Sequence, residues 1–346
     1  MKTKTILGII AMLIAMVSMT ACDNEGNPVN NPETKDVSKV VEETWILTGF
    51  GTAGEAEVQK VTSEVDYQGK VINYIIRFND DGMIMGHTVR NEMSGVFSID
   101  DNIIQISNLG SDAVAETKDG NRFLNALRSG PIDFETRGDQ LVLYYNEGLD
   151  FLQFDKMTYP EDGSYEPYLK EGKIWKYSYK EREGTEYMQT LIVKGDTTIG
   201  GLVYKKIYET DTDTYQSALR EEGKKVYCTH QNSDYSELLY DFSKHYGEKV
   251  SEEIGSDSRT IVRVIGTDLV KSGDRTLHRM WVSIYTAPLG YAKRGEIKAL
   301  TNASWWIEGI GSSYGLDSPF QYDGNYYTFY SCCIENDELG NKGLFW

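Results

Sequence analysis

Along most of the chain after Trp45, apolar and polar residues alternate with a period of two, the period of a strand with one covered face. In KVINYIIRFNDDGMIMGHTV, residues 70–89, two such runs flank Asn79, Asp80, Asp81 and Gly82. Asp-Gly tolerates the positive dihedrals of a tight turn, so this stretch predicts a hairpin. GVFSIDDNIIQISNLG, residues 95–110, repeats the pattern around Asp100, Asp101 and Asn102. A helical period then interrupts the strands. In KDGNRFLNALRSGP, Phe123, Leu124 and Leu127 form one stripe, Arg128 lies in the last turn, and Gly130 with Pro131 ends the helix. QLVLYY and LDFLQF supply closing strands, so residues 45–158 read as an antiparallel sheet with one helix.

MTYPEDGSYEP, residues 157–167, is polar and rich in turn formers, and it marks a boundary. Beyond it, EGKIWKYSYKE, LIVKGDTTIGGLVYKKIYETDTD, YQSALREEGKKVY and ELLYDFSKHYGEKV alternate between Gly-Asp, Gly-Gly and Glu-Gly turns about every 10 residues. Residues 159–346 are therefore expected to form an all-β antiparallel sandwich or barrel-like domain. The fold class is mainly β, with α+β character in the first module. The 24 Tyr, 6 Trp and 33 Gly agree, since they favour strands and tight turns.

The order of elements in residues 45–158 resembles the META domain of HslJ-type secreted or lipid-anchored bacterial proteins. The resemblance rests on Trp45 and Leu47, on Phe78, Gly82 and Gly86, on Asn91, Gly95 and Phe97, on Phe123, Ala126 and Leu127, and on Leu141, Leu143 and Phe154 before Lys156. It implies a fold and brings no active site. Where the family often has two cysteines, this chain has Arg90 and Glu116. If those sites face each other, an ion pair stands in place of two thiols; otherwise they are two separate surface charges. The blocks after residue 167, with WWIEGIGSSYGL and YYTFYSCC, resemble a C-terminal domain recurrent in Bacteroides-group lipoproteins.

Lys2 and Lys4 precede an apolar or small stretch from Ile6 to Met19 that ends in Thr20, Ala21 and Cys22. This resembles a bacterial lipoprotein signal, residues 1–21, with Cys22 as the lipid-modified first residue. The stretch is shorter than the roughly 20 residues that span a bilayer. Residues 22–44 begin as DNEGNPVNNPETKD after the cysteine, too polar to fold alone, and read as an acidic tether. Asp23 and Glu25 look like the surface-export signal of Bacteroides-group lipoproteins. The expected location is the outer membrane, lipid-anchored and facing the cell surface, with the periplasmic face as the alternative.

Charge narrows the partners. Losing Lys2 and Lys4 with the signal takes the formal charge from -18 to -20, which disfavours nucleic acid. Cys228, Cys332 and Cys333 are an odd number in a compartment that permits disulfides. They read as buried free thiols, or as a bridge from Cys228 to one of the other two.

Candidate chemistry is sparse. Gly311, Ser312, Ser313, Tyr314 and Gly315 match the spacing of a nucleophile elbow, but Gly315 to Pro319 cannot begin a long helix and no histidine follows Ser313. The glycines read instead as sharp backbone turns. No cofactor pattern is found: the phosphate-loop lysine is missing, and His87, His230, His245 and His278 are scattered singly. Asp211 and Asp213 lack the rest of a calcium loop and read as a hairpin tip. Paired carboxylates of a glycosidase are defined in space, so the sequence neither locates nor removes them.

Aromatic residues are the remaining candidates. Trp281, Trp305, Trp306, Tyr314, Tyr326 and Tyr327 cluster late in the chain, and outward rings could stack on a glycan or anchor an envelope protein. Adjacent Trp305 and Trp306 in a strand point to opposite faces, so one belongs to the core. Two functions compete: a non-catalytic, lipid-anchored envelope protein with a binding role, and an extracellular hydrolase of glycans or peptides with a carboxylate site.

Overall fold

The structure is a computed structural model that describes residues 37–61, 64–65, 71–111, 114–159, 165–180, 186–230, 235–256, 258–288, 298–312, 314–316, 326–334 and 337–341. Cys22 and the tether up to residue 36 lie outside them, as does Ser313. All of the described residues belong to the compact unit Lys35–Trp346. Among the described residues it is mainly β with one α-helix, and every strand ladder is antiparallel.

The first sheet comprises β1 (Thr44–Thr52), β2 (Gln59–Lys60), β5 (Ile75–Phe78), β6 (Met83–His87), β7 (Glu92–Asp100), β8 (Ile103–Ser111), β9 (Ile132–Arg137), β10 (Gln140–Tyr145) and β11 (Asp150–Lys156). A separate short pair is formed by β3 (Glu64–Val65) and β4 (Val71–Ile72). Hairpins run from β5 to β8 and from β9 to β11, the one helix linking β8 to β9, and β11 returns to pair with β1, Trp45 opposite Lys156, so the sheet closes on itself. Both expected tight turns are present, with Gly82 at φ +81 and Asp101 at φ +51. The helix α1 (Lys118–Leu127) opens at Thr117, whose hydroxyl accepts the Gly120 N–H at 2.9 Å and caps the first turn. Its stripe of Phe123, Leu124, Ala126 and Leu127 is buried in the barrel core with Phe78, Phe134 and Phe154.

The described residues from Lys173 onward form two facing sheets. The larger runs β17-β16-β15-β14-β13-β12-β23-β24, from β12 (Lys173–Lys180), β13 (Glu186–Ile199), β14 (Leu202–Glu209), β15 (Thr214–Glu222), β16 (Lys225–His230), β17 (Glu237–Asp241), β23 (Tyr326–Ile334) and β24 (Asp337–Asn341). The smaller runs β18 (Lys249–Ile254), β19 (Ser258–Ser272), β20 (Arg275–Pro288), β21 (Lys298–Ile307) and β22 (Gly311–Ser312). Trp175, Tyr177 and Leu219 of one share a core with Val264, Met280, Val282 and Trp306 of the other. This is the expected sandwich.

A polar and apolar seam joins barrel and sandwich. Met83 and Met85 on the outer side of the barrel pack against Ile261 and Tyr285 of the smaller sheet. Beside them Arg263 pairs with Asp81 and donates to the Gly247 carbonyl at 2.9 Å. Tyr159 stacks on His245, ring centroids 3.9 Å apart, and the Tyr246 hydroxyl donates to Glu92 at 3.3 Å. Gly247, at φ +77, lies so close to Arg77 that an added Cβ would fall 2.3 Å from its Cδ.

Candidate functional site

The late tryptophans separate by strand alternation. On β20, Met280 and Val282 enter the core while Arg279 and Trp281 take the opposite face. On β21, Trp306 is 1% exposed in the core, edge-on to Tyr240 at 5.1 Å. Trp305 turns the other way, half-buried, and lies opposite Trp281 in the ladder. The two indoles stack with centroids 5.2 Å apart and planes 18° from parallel. The Arg279 guanidinium carbon sits 4.4 Å from the Trp305 ring centroid, within range of a cation–π contact. Asp268 on β19 holds that guanidinium with two bonds, Nε–Oδ1 at 2.8 Å and Nη2–Oδ2 at 2.6 Å.

The structure thus brings Trp281, Trp305, Arg279 and Asp268 to one sheet face and removes Trp306 from it. Tyr314 is half-buried on the next turn, its N–H donated to the Ser312 hydroxyl at 3.0 Å. Among the described residues, no ring contact joins it to the tryptophan pair. The side chains of Tyr326 and Tyr327 lie outside the described residues. Arg279 and Asp268 were not singled out by sequence reasoning; their signal was register across a hairpin, Asp268 opposite Arg279.

The residues around Ser313 build a packing plug. Trp175 Nε1 donates to the Ile310 carbonyl at 2.9 Å, and Tyr168 donates its hydroxyl to the Leu316 carbonyl at 3.0 Å. Ser312 is buried beside Ser304, with 3.3 Å between hydroxyls. Gly309 at φ +74 and Gly311 at φ +95 make the turns, and a Cβ on Gly311 would meet Tyr168 Oη at 2.5 Å. Lys173 also closes this region, its buried ammonium donating to the carbonyls of Pro167 and Gly309 below the rings of Tyr168 and Trp175. Burial pulls its pKa below the usual lysine value.

Arg90 and Glu116 lie on segments that meet. Glu116 Oε1 accepts from the Thr88 hydroxyl at 2.5 Å and from Asn91 Nδ2, while Arg90 Nη1 donates to the Ala115 carbonyl at 3.3 Å. Asp213 sits at the β14–β15 turn at φ +49 and pairs with Lys194 at 2.8 Å. Cys228, Cys332 and Cys333 are free thiols, the first two buried. Burial raises the Cys332 thiol to about 12. Among the described residues no group of three His, Cys, Asp or Glu side chains is placed to hold a metal.

A shallow hollow of about 520 Å³ on the barrel is lined by Asp133, Glu135, Glu147 and Tyr144. Glu135 is tied by Arg137 at 2.9 and 2.7 Å and by the Tyr144 hydroxyl at 3.0 Å. A carboxylate so engaged acts as a strut between neighbouring strands. No helix among the described residues is long and apolar enough to cross a membrane.

No protein-family model and no curated protein matches the chain. Among solved structures, a protein from Burkholderia xenovorans is similar over 40% of this chain and all of its own, at 18% identity and a TM-score of 0.29. A DUF4847 family protein from Bacteroides vulgatus is similar over 36% of this chain and 98% of its own, at 16% identity and a TM-score of 0.28. A protein with a YmcC-like fold from Bacteroides fragilis is similar over 48% of this chain and 98% of its own, at 9% identity and a TM-score of 0.26. Each likeness covers less than half of this chain.

Proposed function

We propose that this chain is a lipid-anchored, non-catalytic envelope protein that binds an extracellular ligand on the outer face of its C-terminal sandwich. Cys22 carries the lipid and residues 22–44 are the tether. Residues 45–158 form a META-like barrel, and residues 159–346 present the binding face. The location is the outer membrane, at the cell surface. The observation that carries the reading is the Trp281–Trp305 stack with its Arg279–Asp268 brace, a polar and aromatic surface held on rigid strands. The lipoprotein-like start, Lys2 and Lys4 through Cys22, supports the anchor.

Cys22→Ser tests the anchor. Without that thiol nothing can accept the diacylglycerol, so the protein should move from the membrane and detergent fractions to the soluble fraction. Wild-type partitioning of the variant would overturn the lipid anchor. Turnover of a bound glycan or peptide by the wild type would overturn the non-catalytic reading.

A further inference from the structure

The hairpin of β13 and β14 outruns its neighbours. β12 pairs with β13 only as far as Ile192, and β15 pairs with β14 only as far as Lys205, so the ladders leave Leu202, Val203 and Tyr204 paired with β13 alone. Packing still reaches Tyr204, which is 3% exposed, and stops there: Leu202 and Val203 are 48% and 62% exposed. Their side chains point to opposite faces, so the tip is open on both.

The tip is also uncharged. Between Asp196 and Lys205 the run TTIGGLVY holds no acid and no base. Gly200 at φ +57 and Gly201 at φ +81 make the two-residue turn, so Ile199 and Leu202 are the outermost side chains. The other hairpin turns among the described residues each hold a charged residue, Asp101, Asp139, Glu147, Asp213, Lys224 and Asp274 among them. Apolar residues exposed singly need no explanation, but a group on one projecting tip marks an interaction site.

We propose that this tip docks into a lipid surface, Ile199, Leu202 and Val203 entering the boundary between head groups and acyl chains. A fluid surrounds a tip that is open on both faces, whereas a protein groove covers one face. Peptide groups at the turn rely on water, so the entry is shallow. Lys205 pairs with Asp196 at 2.6 Å and with Glu171 at 3.2 Å, so apolar contact and not attraction to anionic lipid carries the docking. The chain as a whole, 53 acids against 35 bases, is repelled by an anionic bilayer. Residues 22–36 extend at most about 50 Å, which keeps the body near a bilayer; this step rests on the lipid anchor proposed above. Three side chains give a reversible contact, so washing still releases Cys22→Ser from membranes.

The test floats the mature chain, residues 22–346 carrying Cys22→Ser, with vesicles of phosphatidylcholine alone and of equal parts phosphatidylcholine and phosphatidylglycerol. The chain should rise with the neutral vesicles and no better with the anionic ones. Leu202→Thr combined with Val203→Thr should weaken that association about tenfold or more at unchanged melting temperature, since threonine keeps the strand and removes apolar surface. Leu202→Trp should strengthen it. Ile254→Thr, which removes a 68% exposed side chain from β18, should leave it unchanged. No flotation of the parent chain, parent-like flotation of the threonine pair, an equal loss in Ile254→Thr, or flotation only with phosphatidylglycerol would overturn the lipid contact. A protein seated on the tip, with no flotation, would overturn it as well. The anchor is read separately, from the mass of the wild-type chain purified from cells: an unmodified Cys22 would overturn the anchor and leave the vesicle result standing.

Discussion

Arg263 and Asp81 stand 182 positions apart and meet as an ion pair whose side chains are 0% and 3% exposed. Taking two charges out of water is costly, and removing one partner leaves the other buried without compensation, a loss of about 3–5 kcal/mol. Asp81→Ala and Arg263→Met should each destabilise the protein by roughly that amount in urea unfolding. The double variant should be much less affected than the sum, because two apolar side chains need no pairing. Additive losses would show that the pair does not couple barrel to sandwich.

Gly311→Val should be among the most damaging single changes in the sandwich. At φ +95 a β-branched residue is strained by about 1–3 kcal/mol. Its Cβ would also displace the Tyr168 ring and break the hydroxyl bond to Leu316, about 1–3 kcal/mol more. Ser312→Ala loses only a partner for Ser304 and Tyr314 and should cost about 1 kcal/mol. Thermal unfolding separates the two; near-equal melting temperatures would remove the plug from the account of stability.

Much of the strand architecture was legible because it is local. The Asp81-Gly82 and Asp101-Asn102 turns, the helix stripe ending before Gly130, and the opposite facing of Trp305 and Trp306 each follow from two to ten adjacent residues. The seam was not legible. Arg77, Arg263 and Asp81 have the residue types of a solvated face, and nothing nearby in sequence says that chain from a distant strand covers them. One signal was available: Met83, Ile84 and Met85 form a continuous apolar run where a strand with a wet face would alternate, and both faces of β6 are indeed covered. The outer face of the smaller sheet was half legible. Its tryptophans stood out, whereas Asp268 and Arg279 acquire meaning only through register.

Alkaline pH should unfold the protein in a definite window. Burial raises the Cys332 thiol from 9.0 to about 12 and the Tyr285 hydroxyl from 10.0 to about 12. Both groups keep their protons longer in the native state, so between pH 9 and 12 the unfolded chain binds fewer protons and stability falls as pH rises. The contribution is intact below pH 9 and gone once pH passes about 12. Urea midpoints measured from pH 8 upward should decline across that interval, and Tyr285→Phe should make the decline shallower. A flat profile would mean that neither group is withdrawn from water.

Trp305→Ala and Trp306→Ala should diverge although the residues are adjacent. Trp306 fills the core against Tyr240, and its truncation leaves a cavity that costs about 3–5 kcal/mol. Trp305 is half-buried and rests partly on the same core, so its loss should cost less, on the order of 1–2 kcal/mol. Its effect should fall on binding, since it supports one side of Trp281 and takes the Arg279 guanidinium at 4.4 Å. Denaturant unfolding and ligand titration on both variants give a two-by-two comparison. Core loss without a binding defect is expected at Trp306 when measured well below its melting temperature, and the reverse at Trp305. Equal destabilisation with no binding change at Trp305 would assign both rings to packing alone.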